Sequence, residues 1–149
     1  MRKSNDDYGE YVVITGYNGT STDVVIPSEI KGYSVLIVDE NAFKDCNNLI
    51  SVDIQSGITN IGKGAFSGCS NLESVSIPRS MIAIDEQAFF GCSSMTSIEI
   101  PSDLAYIIGS QVFEGCSNLT IYCEAESQSE YWDSNWNCDR PVVWGHTIK

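Results

Sequence analysis

The sequence predicts a solenoid of stacked β coils with a cap at each end, and three observations carry that prediction. Phenylalanine recurs at positions 43, 66, 89 and 113 and cysteine at 46, 69, 92 and 116, so both series step by 23, 23 and 24 residues. A fixed period of roughly 20–50 residues marks a repeat architecture in which each unit buries its apolar face on the next. Each unit also ends in a strand-like alternation: Leu49-x-x-Val52-x-Ile54, Leu72-x-x-Val75-x-Ile77 and Met95-x-x-Ile98-x-Ile100. Alternation with a period of two puts one face of a strand in the core. Finally, the pattern fails at both ends, where all three tryptophans fall within residues 132–144. An end coil has no neighbour to cover it and needs a lid.

In chain order, a single domain over residues 1–149 divides into three parts. Residues 8–36 form an N-terminal cap and first strand. Tyr11-Val12-Val13-Ile14 is a β-favouring run, turn residues follow at 16–20, and Asp23-Val24-Val25-Ile26-Pro27 imitates the repeat strand. Residues 37–122 are the repeats. Proline after the strand at 78 and 101 removes a ladder donor and stops the strand. A second apolar set follows at Ile58 and Ile61, Met81 and Ile84, and Leu104 and Ile108, with the extra residue of the last period placed in 105–107. Ala42-Phe43, Ala65-Phe66, Ala88-Phe89 and Val112-Phe113 are expected to stack inward, one ring per coil. Asp45 stands where the other units have Gly68, Gly91 and Gly115, which predicts a left-handed backbone column. Glu40, Lys63 and Glu86 share a register with alternating sign, as stacking would favour. Residues 123–149 are the C-terminal cap, read as a short helix over 124–137 followed by a closing segment.

Twenty acidic against eight basic residues give a formal charge of −12. That balance opposes nucleic acid and anionic membrane surfaces, both of which call for a basic face. No run of 18 apolar residues occurs, so no membrane-spanning helix is expected. Residues 1–7 are charged and lack the apolar core of a signal peptide, which leaves a cytoplasmic chain or a processed piece as alternatives.

The repeated run A-F-x-G-C-S-N-L-x-S-V-x-I-P resembles the BspA-like leucine-rich repeats, and the likeness extends to the flanks, from Ile14-Thr15-Gly16-Tyr17 to Trp132 and Trp136. The resemblance implies a right-handed leucine-rich-repeat solenoid, mainly β and loop, with a short parallel sheet. It also implies a bacterial protein at the cell surface or secreted, acting in adhesion or in binding host extracellular proteins. One departure stands out. Gly57, Ser80 and Asp103 occupy the positions where the general consensus places a buried asparagine or cysteine.

Nothing in the chain calls for catalysis or a cofactor. The cysteine column has no close pair of the kind zinc sites use; its thiols are read as small buried fillers, although disulfides along the column are geometrically conceivable. Cys123 and Cys138 break the period and share the C-terminal cap, which makes them a candidate disulfide. His146, the single histidine, has no nucleophile in a fixed relation to it and is expected to be a solvated tail residue. The outward strand positions Ser51, Asp53, Ser74, Ser76, Ser97, Glu99 and Tyr122 form the candidate partner-binding face. A concave sheet face of this kind often meets a protein partner. The expected function is therefore non-enzymatic protein recognition. The alternatives are a spacer repeat without a ligand, and a glycan-binding module stacking sugars on Tyr131, Trp132, Trp136 and Trp144.

Overall fold

A computed structural model describes residues 1–7 and 9–149; Tyr8, the first residue of the predicted N-terminal cap, lies outside the described residues. Among the described residues there are thirteen strands and no helix. The N-terminal part supplies β1 (Arg2–Asp6), β2 (Gly9–Ile14), β3 (Asp23–Ile26), β4 (Glu29–Ile30) and β5 (Tyr33–Val38). The next four are β6 (Ser51–Ile54), β7 (Asn60–Ile61), β8 (Ser74–Ser76) and β9 (Ala83–Ile84). They are followed by β10 (Ser97–Ile100), β11 (Tyr106–Ile107), β12 (Thr120–Cys123) and, in the C-terminal cap, β13 (Val142–Val143).

These strands build two faces of the solenoid. On the first, β3, β6 and β8 pair in parallel with Val24, Val52 and Val75 in one register, and β10, β12 and β13 pair with Ile98, Ile121 and Val142 in one register. β8 and β10 lie side by side without forming a ladder, so this face has a seam. On the second face β2, β5, β7, β9 and β11 run in parallel, and β1 adds to β2 antiparallel. The charged start of the chain is thus the outer strand of this sheet.

The second face corrects one register. Ile107 is buried and pairs with Ile84, whereas Ile108 is 50% exposed. The extra residue of the last period therefore falls after Ile107 rather than within 105–107. The inward column is Val38, Ile61, Ile84 and Ile107, and Trp132 continues it through a parallel bridge to Ile107.

Between the faces the rings stack as the sequence predicts. Centroids lie 5.1 Å apart for Phe43–Phe66, 5.5 Å for Phe66–Phe89 and 5.7 Å for Phe89–Phe113. Tyr17 covers the N-terminal end of this column at 5.3 Å from Phe43, and Trp136 closes the other end edge-on against Phe113 at 6.2 Å. The turns ladder too: the N–H of Phe43 donates to Ala65 C=O at 2.7 Å, and Phe66 N–H to Ala88 C=O at 2.8 Å. The left-handed column is present, with φ of 58° at Asp45, 76° at Gly68, 72° at Gly91 and 79° at Gly115. Lys63 Nζ meets Glu86 at 2.9 Å, in the register where sign alternation was expected.

All six cysteines are free. In the column, three of the four thiols donate to the phenylalanine carbonyl one coil back: Cys69 to Phe43 at 3.0 Å, Cys92 to Phe66 at 3.2 Å, Cys116 to Phe89 at 3.1 Å. The cysteine is thus a donor that closes the turn, a role a purely apolar filler could not take. The candidate Cys123–Cys138 bridge is absent. Cys123 is enclosed at the end of β12, while Cys138 points its thiol at the carbonyls of Asn135 and Trp136.

The helix expected over 124–137 is replaced by turns. Ser129 Oγ accepts from Tyr131 N–H at 3.2 Å and Asp133 Oδ1 from Asn135 N–H at 2.9 Å. Short polar side chains here take the amides that a helix would use. The turns still deliver Trp132 and Trp136 into the core, 4.8 Å apart edge to face. No helix among the described residues is long and apolar enough to cross a membrane.

Candidate binding surface

The first sheet face presents two outward rows. One is Asp23, Ser51 and Ser74, continued beyond the seam by Ser97 and Thr120; the other is Val25, Asp53 and Ser76, continued by Glu99, Tyr122 and Val143. All seven residues singled out in the sequence fall in these rows. Asp23, Val25, Thr120 and Val143 were missed, although the match of Val24 and Ile26 to the repeat strand already implied the first two.

Two of the serine hydroxyls on this face are bound to carboxylates. Ser51 Oγ donates to Asp23 Oδ1 at 2.5 Å, Ser76 Oγ donates to Asp53 Oδ1, and Gln55 Nε2 holds the other Asp53 oxygen at 2.6 Å. The hydrogen bond from Ser51, reinforced by Thr22, holds the Asp23 carboxyl below its ordinary range. Charged acceptors therefore line the N-terminal half in fixed positions. No lysine or arginine stands in either row. Arg79, in the turn after β8, is paired with Glu124, whose carboxylate accepts from Arg79 Nη2 at 2.5 Å and from Ser102 N–H at 3.0 Å.

The C-terminal half of the face is partly overlain by the chain itself. Gly145 N–H donates to Ala125 C=O and His146 N–H to Cys123 C=O, both at 2.9 Å. Gly145 adopts a φ of 67°, a conformation that costs glycine nothing, and the chain turns back there. His146 then sits 5.0 Å from the Tyr122 ring centroid, with Nε2 3.5 Å from Glu99. It is a half-buried residue of the face, which corrects its reading as a solvated tail. Further along, Ile148 and Lys149 overhang the seam and, with residues 74–77 and 97–99, enclose a cleft of about 320 Å³.

The tryptophans do not form an accessible platform. Trp132 and Trp136 are buried, and Trp144 stacks 6.2 Å from Trp132. Packing of the lid takes their faces, so the sugar-stacking arrangement on all three is not available. Of that set Tyr131 is well exposed, beside Tyr106 on the opposite sheet, with ring centroids 5.6 Å apart.

Comparison with known proteins agrees with this architecture. The solved structure of a leucine-rich-repeat protein from Bacteroides capillosus matches with a TM-score of 0.71 and 27% identity, over 83% of this chain and 93% of that one. A leucine-rich-repeat protein of T. pallidum matches with a TM-score of 0.66 and 26% identity, over 81% of this chain and 67% of that one. A Bacteroides ovatus leucine-rich-repeat protein, 21% identical with a TM-score of 0.58 over 91% of this chain and 48% of that one, shares the fold. No functionally curated protein matches. The family model for the BspA type leucine rich repeat region matches six copies over residues 17–135, and the chain belongs to that family.

Proposed function

We propose that the chain is a non-enzymatic protein-recognition module that binds its partner on the first sheet face, at the surface of a bacterial cell or outside it. The family supports a repeat-based interaction module. The observation that carries the assignment to this face is its fixed acidic lattice: Asp23 and Asp53 are locked by serine hydroxyls, Glu99 continues the row, and no cation within the rows neutralises them. A spacer without a ligand would not require its surface hydroxyls to be organised around carboxylates in this way. Binding to such a face combines a flat hydrogen-bonding surface with electrostatic selection of a basic patch. A host extracellular protein is the partner class that the family resemblance favours.

The test is a binding screen of the purified domain against extracellular-matrix proteins and a glycan array at physiological salt. A saturable protein hit lost in the Asp53→Asn/Glu99→Gln double variant supports the assignment. A protein hit that the double variant retains moves the site elsewhere on the solenoid. A sugar hit would redirect attention to Tyr106 and Tyr131, and silence on both arms favours the spacer.

A further inference from the structure

We propose that the seam between β8 and β10 is a subsite for an extended peptide with a cationic side chain, and that residues 146–149 are its built-in occupant. This rests on the first sheet face being the recognition surface. Three observations converge. The parallel ladder that joins the other neighbouring strands of this face is missing between β8 and β10. β8 and β10 touch there without the cross-strand hydrogen bonds that close the rest of the face. The cleft over the seam, about 320 Å³, lies near the lower end of the roughly 300–1,000 Å³ range of ligand pockets.

The third observation is what already lies there. After the turn at Gly145 the chain crosses from β12 over β10 to β8, placing His146 at Glu99 and Lys149 at the cleft. The occupant carries the chain's one histidine and a lysine, and the surface beneath carries carboxylates and hydroxyls. Residues 146–149 therefore display the chemistry the site accepts: apolar Ile148 and cationic Lys149 at a cleft that Glu99 also lines, with the His146 ring beside Glu99. Because the segment is tethered, it competes at a high effective concentration. A partner peptide must displace it, so affinity for the full chain is lower than for the open face.

The probe is a synthetic fluorescent peptide with the sequence of Gly145–Lys149, titrated against the full chain and a variant ending at Gly145. Expected is saturable binding to the shortened chain at least about tenfold tighter than to the full chain, with amide shifts concentrated at residues 74–77 and 97–99. A peptide with glutamate in place of the lysine, and a shortened chain with Glu99→Gln, should each bind about tenfold more weakly. In the unshortened protein, Ile148→Ser/Lys149→Glu should open the site without removing backbone, which separates occupancy from any effect of truncation on folding. Unchanged amide signals at 74–77 and 97–99 on shortening, with no peptide binding, would overturn the proposal. Should a confirmed protein partner bind full and shortened chains equally, yet fail on the Asp53→Asn/Glu99→Gln variant, the tail proposal falls while the recognition assignment stands.

Discussion

Phe66 lies in the middle of the ring column, fully buried, with Phe43 at 5.1 Å on one side and Phe89 at 5.5 Å on the other. Replacing it by alanine removes a ring from a space that two coils close together. Buried phenylalanine-to-alanine changes cost about 3–5 kcal/mol, because lost transfer energy and a residual cavity add. Each ring neighbour contributes about 0.5–1.5 kcal/mol beyond area burial, so two neighbours place Phe66 in the upper part of that range. Against a total stability of roughly 5–15 kcal/mol, the loss is a large fraction. Urea unfolding should be followed by far-UV circular dichroism, which reports all coils, and by tryptophan fluorescence, which reports the cap that holds Trp132, Trp136 and Trp144. Since each coil contacts only its neighbours, cooperativity depends on those interfaces. Both transitions should shift to lower urea together. A loss below about 1 kcal/mol, typical of a surface change, would refute the claim that the column binds the coils together.

Burial raises the thiols of Cys69 and Cys123 to about 12, whereas Cys46 is only half-buried, so maleimide at pH 7.5 should label Cys46 first in the native chain. A mass two units lower that reductant restores would show a bridge and contradict six free thiols. The hydrogen bond from Arg79, with those from Ser102, holds the Glu124 carboxyl at about 2, well below its ordinary 4.5. A depressed acid stabilises the fold above its ordinary pKa and loses that contribution as pH falls from 4.5 through about 2. Glu124→Gln should therefore lower Tm at pH 7, with the gap to the parent closing toward pH 2 and shrinking in salt, since Arg79 is 55% exposed. A gap independent of pH would contradict the pairing. Gly68→Ala forces a side chain onto a φ of 76° with its Cβ against Asp45 Oδ1, and should cost at least about 1–2 kcal/mol by thermal unfolding. An unchanged Tm would mean the turn relaxes freely.

The sequence by itself determined the coil. Ring, thiol donor, left-handed turn and alternating strand are demands a coil makes on its own residues, and stacking repeats those demands at one interval. They therefore surface as columns 23 residues apart, and Phe43, Cys69, Gly91 and Ile98 could be assigned from spacing alone. The outward rows from Ser51 to Tyr122 were legible for the same reason, since alternation fixes which side chains leave the core. Tertiary structure decided whatever depends on which neighbour a segment meets. Ile107 rather than Ile108 is buried because its strand must pair in register with Ile84. Residues 124–137 form turns because polar side chains capture local amides while Trp132 and Trp136 are drawn onto the last coil. Serine hydroxyls on the face were readable as residues, yet their capture by Asp23 and Asp53 arises only when strands from different coils lie side by side. The tail carries no repeat signal at all. Its course over the seam follows from one glycine turn and from the seat of His146 against Glu99, a contact between residues 47 positions apart that no local pattern encodes.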